Sequence, residues 1–259
     1  MSTPYLSVVV PAYNESKRLG PTLSAIFNHL DARGVPAEVV VVDDGSADGT
    51  GEMVEAARRD EPRLRLVRFA VNRGKGAAVR EGALAARGSL ILVSDADLST
   101  PIEEFDRLLA RMRETQSDIV IGSRGLPGSR IEVRQPFWRE GMGRIFNRII
   151  SALTDLRFRD TQCGFKLLDR EKTLPICRKM VVDRFAFDVE LLALARLAGL
   201  RILEEPVVWR NSPDSRVSPV RSALNMLADV WRLRRRIRTG FYRERERALT
   251  GAGEPPDRA

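Results

Sequence analysis

Two cysteines, one histidine and no apolar run of membrane-spanning length are what this 259-residue chain has least of. Cys163 and Cys177 are too few for a disulfide framework and lack metal-ligand spacing, so a reducing compartment is expected. The histidine, His29, falls in a helix-like early segment and reads as structural; no serine or cysteine triad accompanies it. No stretch approaches the roughly 18–20 apolar residues that cross a bilayer, so any membrane contact is expected to be peripheral. The start, Met1 to Leu6, has no basic region followed by an apolar one, which argues against a secretory signal.

What is present is ordinary globular usage, 43% apolar and 30% charged, at a length that suits one large α/β domain. The net charge of +8 calls for anionic partners. Nucleic acid would satisfy it by counterion release, but no zinc-finger spacing, RNA-binding signature or helix-turn-helix supports that partner, and none is expected. Nucleotides and anionic lipids satisfy the same charge.

From Leu6 to Ser123, short apolar runs alternate with helix-like stretches. Leu6–Val10, Val39–Val42, Leu64–Val67, Leu90–Val93 and Ile119–Ile121 read as buried strands, with helices near 19–31, 50–60, 75–87 and 102–114. This order predicts a Rossmann-like, mostly parallel sheet flanked by helices, with right-handed crossovers. An amphipathic segment near 137–155, a short strand at Phe165 to Leu168 and a helix near 187–199 follow. The expected organisation is one domain over 1–219, a basic amphipathic C-terminal helix over 220–247 and a disordered tail over 248–259.

Ligands of such sheets collect beyond the carboxyl ends of the strands, and the polar motifs fall there. Asp95-Ala96-Asp97 ends a strand; its two carboxylates can hold Mg²⁺ or Mn²⁺, or can cap the following helix. Asp43-Asp44-Gly45-Ser46 also ends a strand, and capping accounts for one acid, a base edge or ribose hydroxyl for the other. Tyr13 and Glu15 suit a nucleoside by stacking and hydrogen bonding, although Tyr13 can equally pack in the core. Asn72-Arg73-Gly74-Lys75-Gly76 opens a helix, whose N-terminal amides favour anions, and brings Lys75 toward a phosphate; it is not a Walker motif.

Together the runs Val10-Pro11-Ala12-Tyr13-Asn14-Glu15, Val42-Asp43-Asp44-Gly45-Ser46, Asn72 to Gly76, Asp95-Ala96-Asp97 and Gly122-Ser123-Arg124 resemble the ordered motifs of family 2 glycosyltransferases. Asp160-Thr161-Gln162-Cys163-Gly164-Phe165-Lys166 and Arg184-Phe185-Ala186-Phe187-Asp188-Val189-Glu190-Leu191-Leu192 further resemble the dolichyl-phosphate β-glucosyltransferase and dolichol-phosphate mannose synthase group. The resemblance implies a GT-A fold and an inverting transfer from a nucleotide sugar to a lipid-linked phosphate. It implies nucleotide-sugar contacts at Pro11, Tyr13, Glu15, Asp43, Asp44, Lys75, Asp95 and Ala96, with Asp97 the main metal ligand beside Asp95. Arg124 and Arg139 match arginines that hold the acceptor phosphate, and Gln162 and Glu190 are acceptor-side or sugar candidates. Leu98-Ser99-Thr100 differs from the Gly-Ala-Thr of the eukaryotic glucosyltransferase and the Leu-Gln of mannose synthases, while the later motifs favour UDP-glucose over GDP-mannose. A soluble acceptor and a non-catalytic nucleotide-sugar-binding protein are the alternatives.

Beyond Pro219, Leu224, Leu227, Trp231, Ile237 and Phe241 recur near helical spacing among Arg221, Arg232, Arg234, Arg235, Arg236 and Arg238. Such a helix suits the cytoplasmic face of a membrane, or docks its apolar stripe on the domain and leaves a solvated basic end.

Overall fold

The computed structural model describes residues 3–133, 147–154, 156–210 and 219–250, with side chains from 225 onward in the last stretch. Strands β1 (Leu6–Ala12), β2 (Ala37–Asp43), β3 (Leu64–Arg68) and β4 (Leu90–Val93) alternate with helices α1 (Leu19–Ala32), α2 (Thr50–Ala57) and α3 (Lys75–Ala85). Then come α4 (Glu104–Thr115), β5 (Ile119–Ser123), β6 (Arg130–Val133), a helix α5 described over 147–154, and β7 (Lys166–Asp169). Helices α6 (Arg170–Lys179) and α7 (Phe187–Leu197), strands β8 (Ile202–Pro206) and β9 (Val208–Arg210), and helices α8 (Pro219–Arg238) and α9 (Phe241–Thr250) complete the chain.

The main sheet has the order β3-β2-β1-β4-β7-β5-β8. Every residue of β1 and β2 is buried, because helices cover both faces, and this is why these strands read as unbroken β-branched runs. The pleat divides them. Val9, Val40, Val42, Ile91 and Ile121 face α3, α6 and α7, while Val8, Val10, Val39, Val41 and Val120 face α1, α2 and α4.

Helix α3 is lined by small buried residues, with Ala78, Gly82 and Ala83 in the core it shares with the sheet. A Cβ on Gly82 would strike the Val9 side chain, so the helix lies against β1 at close range. That approach brings its first residue, Lys75, down to the carboxyl edge of the sheet. The chain builds outward from β1 through β2 to β3, then returns to β4 on the other side of β1. The crevice outside the ends of β1 and β4 is therefore the topological switch point, where ligands of open α/β sheets bind.

The expected mostly parallel sheet is observed, with one strand reversed. β7 runs antiparallel to both β4 and β5. Its entry, not its exit, consequently lies at the carboxyl edge of its neighbours. A parallel ribbon of β6 and β9 stands beside the sheet.

The single C-terminal helix expected over 220–247 is instead two. Gly240 adopts φ +77 and breaks the run, so that α9 folds back and buries Tyr242. A residue with a Cβ resists that left-handed turn, whereas glycine adopts it freely. Helix α9 continues to Thr250, past the expected start of the tail at 248; residues 251–259, like most of the amphipathic segment near 137–155, lie outside those described. The apolar stripe of α8 docks on the domain: Val230 and Leu233 are buried, and Met226, Leu227 and Ile237 pack against the same core. Trp231 points the other way and is 59% exposed.

Candidate active site

The loops after β1, β2 and β3 interlock through short polar side chains. Asn14, at φ +55, donates its amide to Ser46 Oγ at 2.9 Å and accepts the Ala47 amide at 2.9 Å. Asp43 is fully buried; it accepts the Ser46 amide at 2.9 Å and faces Arg68 at 3.3 Å. Asp44 organises the phosphate-loop candidate, accepting the amides of Arg73 at 2.7 Å and Gly74 at 2.9 Å and the Asn72 side chain at 2.9 Å. Burial raises its carboxyl pKa, against the pull of those two amides. Asp43 and Asp44 therefore shape the loops around the crevice, and neither caps α2, whose N-cap residue is Gly49.

Of the nucleoside candidates, Pro11 is buried at the end of β1 and Tyr13 is 47% exposed beside it, so Tyr13 is no core residue. Glu15 pairs with Arg18 at 2.7 Å.

At the end of β4, a tight turn brings the Leu98 amide to the Asp95 carbonyl at 3.2 Å, with Leu98 itself at φ +46. The buried Ala96 accepts the Thr22 hydroxyl through its carbonyl at 2.7 Å. Lys75 reaches across from α3 and pairs with Asp95 at 2.5 Å. Burial would raise the Asp95 carboxyl, but Lys75, with Lys166 and Arg124 beyond it, outweighs burial and lowers it. Gly164 lies against this carboxylate so closely that a Cβ would overlap it. Asp97 accepts the Ser99 amide at 2.9 Å and opens on a cleft of about 370 Å³ lined by Lys17, Arg18, Pro21, Thr22 and Leu98. Neither aspartate caps α4, which begins after Glu103. The capping alternative thus falls for both.

From the end of β5, Arg124 enters the same field. Its Nε and Nη2 donate to the two oxygens of Asp160 at 2.6 and 2.9 Å, and its guanidinium stacks over Trp209 with 5.5 Å to the ring centre. Asp160 also accepts the amides of Arg124 at 3.0 Å and Gln162 at 3.1 Å. Burial alone would raise this carboxyl; the guanidinium overcomes that and holds it at about 2. Beneath lies Lys166, 1% exposed, paired with the buried Asp188 at 2.5 Å.

The structure thus gathers Lys75, Asp95, Ala96, Asp97 and Arg124 around the switch point. Asp160, Lys166 and Asp188 join them, although no sequence motif singled them out by charge. Their signal was the two later runs, Asp160 to Lys166 and Arg184 to Leu192, in which they stand. Gln162 donates to the Met226 sulfur of α8 at 3.1 Å. Glu190 does not face this crevice: fully buried, it accepts the Val181 and Val182 amides at 2.9 and 2.8 Å and the Tyr242 hydroxyl at 2.6 Å. Arg139 lies outside the described residues. Among the described residues no three His, Cys, Asp or Glu side chains gather as a preformed metal cage.

Residues 7–174 match the model of glycosyl transferase family 2. A dolichyl-phosphate beta-glucosyltransferase of Trichomonas vaginalis is 36% identical over 256 residues, covering 95% of this chain and 75% of the relative. Enzymes of the same name from Dictyostelium discoideum and Homo sapiens are each 35% identical, over 92% and 93% of this chain and 76% and 78% of their own. Among solved structures, mannosyl-3-phosphoglycerate synthase from Rubrobacter xylanophilus superposes with a TM-score of 0.65 at 19% identity, covering 92% of this chain and 76% of that one. Glucosyl-3-phosphoglycerate synthase from Mycobacterium tuberculosis, in complex with Mn²⁺ and UDP-glucose, gives 0.63 at 19%, covering 88% and 76%. The fold is accordingly of the GT-A type. With a motif-bearing crevice at the switch point and a family match over most of its length, the chain belongs to glycosyl transferase family 2 and is a glycosyltransferase.

Proposed function

We propose that the protein transfers glucose from UDP-glucose to a polyprenyl phosphate of the dolichyl type, with inversion, at the cytoplasmic face of a membrane. The observation that carries this reading is the placing of Lys75 and Arg124, two cations from different elements, within the field of one carboxylate, Asp95. Two anionic groups, a donor diphosphate and an acceptor phosphate, suit such a pair. The names of the relatives support transfer of glucose to a dolichyl phosphate.

A lipid monophosphate is already anionic near neutral pH, so no general base is required to free its attacking oxygen. Arg124, preoriented by Asp160 and Trp209, aligns that oxygen with the anomeric carbon. The new C–O bond forms as the bond to the diphosphate breaks, and the electron pair leaves with UDP. Lys75 meets the departing charge. Mg²⁺ or Mn²⁺, hard cations that favour carboxylate oxygens, fit Asp97, whose carboxylate accepts the Ser99 backbone amide, better than Asp95, which is committed to Lys75. The bound ion supplies neutralisation of the diphosphate. Pro11, Tyr13, Glu15 and the loops shaped by Asp43 and Asp44 surround the nucleoside.

Incubation with UDP-glucose or GDP-mannose and a short polyprenyl phosphate, with and without Mn²⁺, tests this. Lipid-linked glucose formed from UDP-glucose alone, and only with the metal, is expected. Turnover confined to GDP-mannose or to a soluble acceptor would replace the substrate, and nucleotide-sugar binding without turnover would leave only a binding protein.

The membrane contact is assigned to α8. No described helix is long and apolar enough to cross a membrane. Trp231 shares its exposed face with Arg234, Arg235 and Arg238, at helical spacings of three, four and seven, which suits aromatic anchoring among anionic head groups. Sedimentation with phosphatidylserine vesicles is expected at low salt, with release in high salt and weaker retention for Trp231→Ala. Vesicles that leave the protein in the supernatant at low salt would remove the assignment.

A further inference from the structure

Glu190 and Tyr242 lie outside the crevice, yet their contacts lead into it. The Glu190 carboxylate, buried in α7, accepts the Tyr242 hydroxyl from α9 at 2.6 Å and ties down the amides of Val181 and Val182. The segment that follows closes over the start of α3. The Asp183 carbonyl accepts the Ala77 amide at 3.0 Å, and Arg80 reaches back to the Met180 carbonyl at 3.3 Å and to Asp183 Oδ1 at 2.8 Å. Gly74 and Gly76, on either side of Lys75, press against the carbonyls of Asp183 and Val182; a Cβ at either position would collide with them. Both glycines are thus shaped to this segment, and Lys75 stands between them.

We infer that Tyr242 and Glu190 are positioning residues for the donor lysine, acting through residues 180–184 on the start of α3. The inference rests on the proposed role of Lys75 at the donor diphosphate. A carboxylate that holds two consecutive amides defines the path of the 180–184 segment, and the hydroxyl from α9 defines the carboxylate. Loosening that hydroxyl lets the segment, and with it the Lys75 ammonium, explore positions away from Asp95.

Calorimetric titration of the full-length protein with UDP in Mn²⁺, alongside donor kinetics, tests the path. Tyr242→Phe keeps the ring and removes only the hydroxyl; it is expected to weaken UDP binding by about three- to tenfold, the scale of coupling carried by packed networks. Donor KM should rise by the same factor with kcat and acceptor KM nearly unchanged. Arg80→Gln should act likewise, and the double variant should lose little more than the larger single loss, since both cut one path. Val54→Ala, in α2 on the opposite face of the sheet, serves as the control: it should lower the melting temperature and leave UDP affinity intact. Unchanged UDP affinity in Tyr242→Phe, additive losses in the double variant, or an equal loss in Val54→Ala would each overturn the inference. A wild-type protein that does not bind UDP would overturn the donor reading as well, whereas wild-type binding with unaffected variants sinks the inference alone.

Discussion

Arg124→Ala is expected to slow transfer by about 10²- to 10³-fold, the loss seen when one aligned charge-stabilising donor is removed, with UDP affinity within about threefold of wild type. The guanidinium is the group proposed to meet the acceptor, while the donor contacts come from other loops. Lysine is a poor substitute, because a single ammonium cannot span both Asp160 oxygens and stack on Trp209 at once. Stability carries an independent signature. The folded Asp160 carboxyl sits at about 2, below an unfolded value of about 4. Its pairing therefore contributes stability that is fully present above pH 4 or so and is lost as pH falls toward 2, on the order of 2 kcal/mol. Without the arginine, the variant should lose less stability than wild type between pH 5 and pH 3, as read from urea midpoints. Parallel pH profiles would show that Arg124 and Asp160 are not coupled, and equal losses of donor binding and turnover would remove the acceptor role.

Asp97→Ala should lower metal-dependent transfer by at least about 10²-fold, since removal of a ligand to the charge-neutralising ion withdraws stabilisation from the leaving group. The fold should survive. Within the described residues Asp97 holds one backbone amide, worth about 1 kcal/mol, and half-exposed turns tolerate that loss. The readout separate from catalysis is the Mn²⁺ dependence of UDP binding: wild type should bind UDP more tightly with Mn²⁺ than without, and the variant should not. Full activity in Asp97→Ala, or an unaltered Mn²⁺ effect on UDP binding, would take the metal away from this residue.

Most of this architecture is legible in the amino-acid sequence. The valine runs of β1 and β2 could be nothing but strands buried on two faces, and the polar motifs had to fall at their ends. Lys75 and Asp95 are legible because one opens a helix and the other ends a strand, whereas Arg124 is marked only by the resemblance of its Gly-Ser-Arg run to the family. Glu190 was misplaced for a reason of helix phase. Asp188 and Glu190 are two residues apart in α7, roughly 200° around the axis, so the first turns to Lys166 and the second away to Tyr242. A motif written in one line places both at one site; a helix separates them. Asp44 illustrates the other limit. Its position after β2 was legible, but the orientation of its carboxylate toward the 72–74 loop depends on where the next strand returns. Asp160 and Lys166 stand in a run that the resemblance marks, but their place in the crevice depends on the reversed direction of β7, which short apolar runs do not encode. The break at Gly240 was hidden because arginine-rich helical periodicity continues on both sides of it.

The reversal of β7 also divides the labour of the crevice. Parallel strands β1, β2 and β4 deliver their site residues where each strand ends, but β7 delivers Asp160 to Lys166 where it begins. The stretch from Arg124 to Lys166 is therefore anchored to the sheet at both ends, by β5 before it and β7 after it. On the proposed reading, with Arg124 at the acceptor and Lys75 at the donor, a change in this stretch would alter the acceptor side while the loops after β1, β2 and β3 stay as they are.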